Sequence, residues 1–328
     1  MIWNAIPLDK KVHMSRTLVI YNPVAGRGRV QAQWPQVEQA FRQIGLDFDA
    51  VPTKAPLDAF RMAREASQKY NRIVSVGGDG TAHEIVNGLM QASGEAETIP
   101  LAIIPLGSGD DFAKIIPPET PVGGRPFEWP AAVQKIARGQ THLFDVGRMT
   151  GDHLRADLGD GPHYFMNGMD VGFGAHATLN FTTIPRFIKG FSAYLLTILK
   201  TMIRYPLLHI TVQMDDQAPF EQATTMTAIT NGRCFANGFW VCPHAQADDG
   251  MFDLMIAQGL NRLQILRLIP KITSGTHIGD PAVSMARAHR IVITSEEPLV
   301  VEADGELPYL ETHHLIIEIL PARLCLVV

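Results

Sequence analysis

The chain has 328 residues, 46% of them hydrophobic and 19% charged, which suits a folded protein of two domains and excludes a disordered or fibrous one. A net charge of −5 argues against a general nucleic-acid binder, so no nucleic acid is expected as a partner. Cys234, Cys242 and Cys325 are odd in number and lack paired metal spacing, which speaks against a disulfide framework or zinc ribbon and suits a reducing cytoplasm.

Residues 1–16 read as a lead-in without the pattern of a secretory signal, and no run reaches the roughly 18 apolar residues of a membrane-spanning helix. The first strand is expected at 17–21, running into a turn with Asn22, Pro23, Gly26, Arg27 and Gly28, then a helix over about 31–44. A strand at 46–51 leads through Thr53 to a helix over 57–69. The third strand, 72–76, stops at Gly77, Gly78, Asp79, Gly80 and Thr81, after which Ile85, Val86 and Leu89 mark a helix. Glycines there let backbone approach a ligand closely, and the N–H groups of the new helix favour an anion. Asp79 in such a loop would repel phosphate unless a cation or proton stood between them, or it serves with Thr81 as a helix cap.

A fourth strand at 100–105 ends in a third glycine turn, with Gly107, Ser108, Gly109, Asp110 and Asp111. Strands alternating with helices predict an α/β domain with a parallel sheet, whose ligands bind beyond the carboxyl ends of the strands. All three turns lie at that end. Residues 117–130 read as a loop and 131–138 as a short helix; from 144 onward short strands dominate, among them 163–174, 208–214, 224–230, 239–241 and 252–257. One long helix is expected over 185–205, with Arg186, Lys189, Lys200 and Arg204 opposite an apolar face, a profile that suits packing or an anionic membrane surface. Asp248 and Asp249 before Gly250 suit either a hairpin turn or a hard cation, and Asp304-Gly305 between apolar runs is a second hairpin turn.

Taken together, Asn22-Pro23 with Gly26, the loop from Gly77 to Thr81 with Glu84, Ser108 with Asp111-Phe112-Ala113, Asp249 and the Asp304-Gly305-Glu306 run resemble the diacylglycerol kinase catalytic family, over nearly the whole chain. The resemblance implies an α/β nucleotide domain at 17–143 and a mainly antiparallel β-sandwich domain at 144–328, as in NAD kinases, with the last strand free to return to the first domain. It also implies a Mg²⁺-assisted transfer of the ATP γ-phosphate to a hydroxyl of diacylglycerol or a related lipid. Asn22, Pro23, Thr53, Gly77, Gly78, Asp79, Gly80, Thr81, Glu84, Ser108 and Asp111 would then hold the nucleotide, and Gln246, Asp249 and Met251 a Mg²⁺. Asp304 or Glu306 would be the base. His83 and Asp110 depart from the family pattern; His83 stands either on the helix surface or toward the ligand. A lipid substrate implies a cytoplasmic protein meeting the membrane surface through 185–205, and leaves a homodimer open. A kinase of a soluble hydroxyl compound such as NAD, or a non-catalytic nucleotide or lipid sensor, are the alternatives.

Overall fold

A computed structural model describes residues 16–117, 120–159, 161–181, 183–184, 191–205, 207–234 and 239–328. The first part alternates strand and helix: β1 Thr17–Tyr21, α1 Ala25–Gln43, β2 Phe48–Pro52, α2 Asp58–Ala66, β3 Arg72–Gly77, α3 Asp79–Ser93, β4 Leu101–Pro105, the short α4 Asp111–Lys114 and α5 Trp129–Arg138. Gly26, Arg27 and Gly28 within the α1 span have positive φ (58°, 62° and 85°), so the regular helix begins only after this turn. The four strands pair in parallel in the order β2-β1-β3-β4.

Their side chains divide by alternation between two helical layers. Leu18, Ile20 and Ile73 bury against α2 and α3, whereas Val19, Val74 and Val76 bury against α1 and α5. This explains why the strands read as unbroken apolar runs: both faces are covered. The close seat of α3 on α2 depends on Gly88, where a Cβ would lie 2.3 Å from the Phe60 carbonyl.

The second part comprises β5 Thr141–Gly151, β6 His163–Phe165, β7 Gly168–Gly172, α6 Phe173–Phe181, α7 Phe191–Arg204, β8 Leu208–Met214, β9 Phe220–Thr230, β10 Phe252–Gln258, α8 Arg262–Thr273, β11 Val283–Ala288, β12 Arg290–Ala303 and β13 Glu306–Val327. Its strand pairs are antiparallel, around a core that includes Phe165, Val171, Phe252, Ile293 and Leu315. The end of β13 crosses back to pair with β4 in parallel, Leu326 beside Leu101, so one continuous sheet joins both parts.

Three expectations change. The strand expected at 239–241 does not form: Trp240 is buried in irregular chain and donates its N–H to the Ile272 carbonyl at 3.2 Å. Pro243 follows after Cys242, and a short apolar run fills a gap as readily as it extends a sheet. The stretch 163–174 is two short strands and then the start of α6, because Gly172, at φ 124°, turns the chain off the sheet. Strand β11 lay hidden in a run with charged and polar residues, since it is an edge strand with much of its surface in water. Of the helix expected over 185–205, α7 is described; Arg186 and Lys189 lie outside the described residues.

Candidate active site at the domain junction

The three glycine turns converge by direct contact. At Gly26 a Cβ would meet the Leu106 carbonyl at 2.1 Å, and a Cβ at Gly107 would meet the Gly78 Cα at 2.4 Å. Nothing larger than hydrogen fits between these turns. Arg29 donates to the Gly107 carbonyl, joining the first turn to the third, and Asn22 Nδ2 donates to Thr81 Oγ1 at 3.1 Å, joining the first to the second. Gly77 is needed for the same reason, because a Cβ there would lie 2.7 Å from Thr81 Oγ1.

Between this end of the sheet and the second domain lies a cavity of about 630 Å³. Asn22, Pro23, Thr53, Gly78, Gly80, Thr81, Glu84 and Glu306 line it, as do His83, Asn87, Arg155, His163, Leu307 and Pro308. Among the sequence-predicted residues, Gly77, Asp79, Asp111 and Asp304 do not reach its lining, and Ser108 is exposed without forming part of the wall. Gln246, Asp249 and Met251 belong to a separate turn.

The acids fall into distinct environments. Glu84 accepts the N–H groups of Leu57 and Ala59 at 2.9 and 3.1 Å, so its carboxylate steadies the start of α2, where a helix favours negative charge. Asp79 accepts the Phe112 N–H at 3.0 Å. Burial first, then the neighbouring Asp111, pushes its pKa up to about 7. Asp111 is paired with Lys114, and Asp110 turns back to accept the Gly107 N–H at 2.7 Å. Asp110 therefore shapes its own loop, in the left-handed conformation that Asp tolerates at φ 52°.

At the β12–β13 turn, Asp304 and Gly305 both have positive φ, 50° and 91°, as a tight hairpin requires. The turn sends its two acids in different directions. Asp304 is enclosed, accepting the N–H groups of Met166, Asn167 and Gly168 at 2.8, 2.9 and 3.1 Å and meeting His83 Nδ1 at 3.2 Å. Glu306 is exposed and faces the cavity; a Cβ on Gly80 would stand 3.4 Å from its Oε1.

His83 is not on the helix surface; it forms part of the cavity wall. It is buried, with its Nε2 2.9 Å from the Nε2 of His163. Sequence reasoning weighed His83 but missed His163, Asn87 and Arg155, which lie in stretches read for strand or helix pattern alone. Asn87 ties α3 to β6, donating to the Tyr164 carbonyl and accepting the Tyr164 N–H, each at 2.9 Å. Its helical spacing of four from His83 was the one available signal.

The turn at 246–251 holds its acids in ion pairs. Asp249 is ion-paired with Arg287 and accepts the Met251 N–H at 3.1 Å, while Asp248 meets His142 at 2.7 Å. Among the described residues, no group of three or more His, Cys, Asp or Glu side chains could hold a metal ion. The Arg287 guanidinium sits on the Asp249 carboxylate, the one charged group among the three residues expected to hold Mg²⁺.

Fold and site together define a two-domain kinase: an α/β domain with its glycine turns opposed to an acid-bearing hairpin of a β-rich domain. Residues 16–149 match the diacylglycerol kinase catalytic domain, and residues 168–328 match the YegS C-terminal NAD kinase beta sandwich-like domain. A diacylglycerol kinase of Bacillus subtilis (strain 168) is 29% identical over 89% of this chain and 90% of its own. A chain named "Probable lipid kinase YegS-like" from Xanthomonas axonopodis pv. citri (strain 306) is 30% identical over 86% of this chain and 87% of its own. The crystal structure of a diacylglycerol kinase from Bacillus anthracis str. Sterne superposes with a TM-score of 0.67 at 21% identity, covering 97% of this chain and 98% of that one. This chain belongs to the diacylglycerol kinase catalytic family, and it is a lipid kinase.

Proposed function

We propose that this kinase transfers the γ-phosphate of ATP to a hydroxyl of diacylglycerol or a closely related lipid. One observation carries the reading: the three glycine turns of the first domain and Glu306 of the second open on a single cavity. Phosphoryl transfer asks for positioning, neutralisation of charge and an acceptor for the hydroxyl proton. Backbone N–H groups at the start of α3, with Asn22 and Thr53, supply the first for a nucleotide. Asp79, on the turn between Gly78 and Gly80 that line the cavity, would meet a Mg²⁺ brought by the nucleotide through water, and a carboxyl raised by burial and a like charge fits such a cation. When bound, that ion offsets the negative charge of the phosphates. Of the two candidate acids, Glu306 lines the cavity and would accept a hydrogen bond from an incoming hydroxyl, whereas Asp304 is taken up by three backbone N–H groups.

The lipid reaches this site from a membrane surface. On α7, Leu196, Leu199 and Ile203 are exposed, and Phe181 of α6 and Leu263 and Leu266 of α8 are exposed on its neighbouring helices. The buried side chains Phe173, Ile198, Met202 and Ile265 pack these three helices together. Neither α7 nor α8 carries an acidic residue, and Lys200, Arg262 and Arg267 supply positive charge. An apolar surface fringed by cations suits an anionic bilayer. No helix among the described residues is long and apolar enough to cross one. Transfer of labelled γ-phosphate from ATP into a total lipid extract tests the proposal: a labelled lipid with diacylglycerol as precursor supports it, and label confined to water-soluble products overturns it.

A further inference from the structure

The polar contacts at the floor of the cavity form a chain with a direction. The Asp304 carboxylate, holding three backbone N–H groups, also accepts from His83, so in the neutral ring the His83 proton sits on Nδ1 and its Nε2 is bare. Across 2.9 Å, His163 must then donate from its own Nε2. Asn87 leaves this arrangement undisturbed, since its amide donates to the carbonyls of His83 and Tyr164 at 3.0 and 2.9 Å and stands farther, at 3.3 Å, from His83 Nε2. With its proton on Nε2, His163 has a lone pair on Nδ1. That atom bonds to no described residue, and the ring lines the cavity.

We propose that His163, His83 and Asp304 form a proton relay that takes up the proton released when an alcohol is phosphorylated in this cavity, an inference that rests on the kinase reading above. As the alcohol oxygen bonds to the γ-phosphorus, the bond from that phosphorus to the bridging oxygen breaks, and ADP leaves with the electron pair. The alcohol O–H bond breaks too. Its proton enters at His163 Nδ1, directly or after a stop on Glu306, and the Nε2 proton of His163 passes to His83 Nε2. The charge comes to rest as an imidazolium on His83 against the Asp304 carboxylate, leaving His163 neutral.

The surroundings favour that resting place. Burial lowers the affinity of His83 for a proton, but the Asp304 hydrogen bond and charge outweigh it, helped by Glu306 from β13 and Glu84 from α3, and the pKa is raised. His163 has no such compensation: burial, His83 and Arg155 from the loop after β5 all hold it well below the usual histidine value. A proton delivered to His163 therefore moves on. At low pH the relay is already loaded and cannot accept another.

The test is the pH profile of the full chain with MgATP and diacylglycerol in mixed micelles, beside His83→Asn and His163→Asn. An Asn at 83 can still donate to Asp304 from the position of Nδ1, yet it cannot carry a proton through to His163. Both variants are expected to lose about tenfold or more in kcat, to keep KM for ATP within about twofold, and to lose the acid-side fall of the parent. A parental kcat and pH profile in His163→Asn overturns the relay, as does a variant whose loss is confined to KM or melting temperature. Should neither variant fold, ¹⁵N-histidine NMR of the parent decides: Nδ1-protonated His83 with Nε2-protonated His163 supports the relay, and the reverse tautomers overturn it. Failure of the parent itself to label any lipid would instead overturn the kinase substrate reading.

Discussion

Exchanging Asp304 for Asn and, separately, Glu306 for Gln separates two acids that lie two residues apart and do different things. In the first variant the new amide has one oxygen and one NH₂ where the carboxylate had two acceptors. If the NH₂ replaces Oδ1 it faces the N–H groups of both Asn167 and Gly168; if it replaces Oδ2 it faces the N–H of Met166 and forces His83 to shift its proton to Nε2. The second choice is the less costly one. An unmet buried donor costs about 1–3 kcal/mol, and each bond that trades a charged acceptor for a neutral one loses about 1 kcal/mol more, for a total of about 3–5 kcal/mol. Backbone strain adds nothing, since Asn also tolerates the φ of 50° at this position. Asp304→Asn should therefore melt roughly 5–10 °C below the parent. Glu306→Gln alters an exposed side chain and should melt within about 1 °C of it. Its turnover should instead fall about 10²–10⁴-fold. Thermal melts followed by circular dichroism, run beside transfer of labelled phosphate into micellar diacylglycerol, measure both. Parental stability in Asp304→Asn, or parental turnover in Glu306→Gln, would refute the division of roles.

Asn87→Ala leaves the N–H and carbonyl of Tyr164 without their partners, so a loss of about 2–4 kcal/mol is expected in the urea midpoint, with faster amide exchange at Tyr164. Chelating divalent ions should leave the melting temperature of the nucleotide-free protein unchanged, because Arg287 already neutralises Asp249; a fall of several degrees would show that a metal is needed there. Burial raises the pKa of Asp152, but the Thr312 hydroxyl and the N–H groups of His313 and His314 outweigh it and bring it from 3.8 down to about 2. In that window the unfolded chain binds more protons than the folded one. The contribution is thus fully present above the unfolded value and is lost as pH falls toward 2, and Asp152→Asn should flatten this part of the acid unfolding curve. Ile203→Glu with Leu263→Glu should cut binding to anionic vesicles by about tenfold or more while leaving turnover on a short-chain, water-soluble diacylglycerol intact; unchanged flotation would remove this surface from the model of membrane contact.

Much of the first domain was legible because each strand is buried on both faces and each turn must contain glycine. Val74 and Val76 against one helical layer, with Ile73 against the other, leave an apolar run that no loop would carry. Gly26, Gly78 and Gly107 were visible as a set, and their contacts with Leu106 and with one another give the reason for each. The second domain was legible in kind but less so in detail. Its edge strand β11 is largely wetted, and Trp240 shows that an apolar triplet before a proline fills a space without joining a sheet. Asp249 illustrates a different limit. Its carboxylate beside Gly250 has the pattern of a cation ligand, yet the cation is Arg287, which is 38 residues away in sequence and adjacent only after β10 and β11 pair.

The least legible part of the site is the one that joins the domains, and the reason is physical. Asp304 closes the hairpin of the second domain, anchors the turn before β7 through three N–H groups and touches His83, which stands on a helix of the first. Those partners come from two places, one turn 136 to 138 residues away and a helix 221 residues away along the chain. Local pattern cannot report such a junction, because spacing and periodicity describe what one element does alone. Nor can the junction persist if the domains separate: Asp304 would then retain its own turn but lose His83, and His83 would lose Asp304 and His163 at once, keeping only Asn87 of its own helix. The cavity floor therefore exists only while β6 and the β12–β13 hairpin are seated against α3. Asn87 clamps that same seam through Tyr164, so the geometry that would receive a proton from the substrate is also a measure of how firmly the two domains are docked.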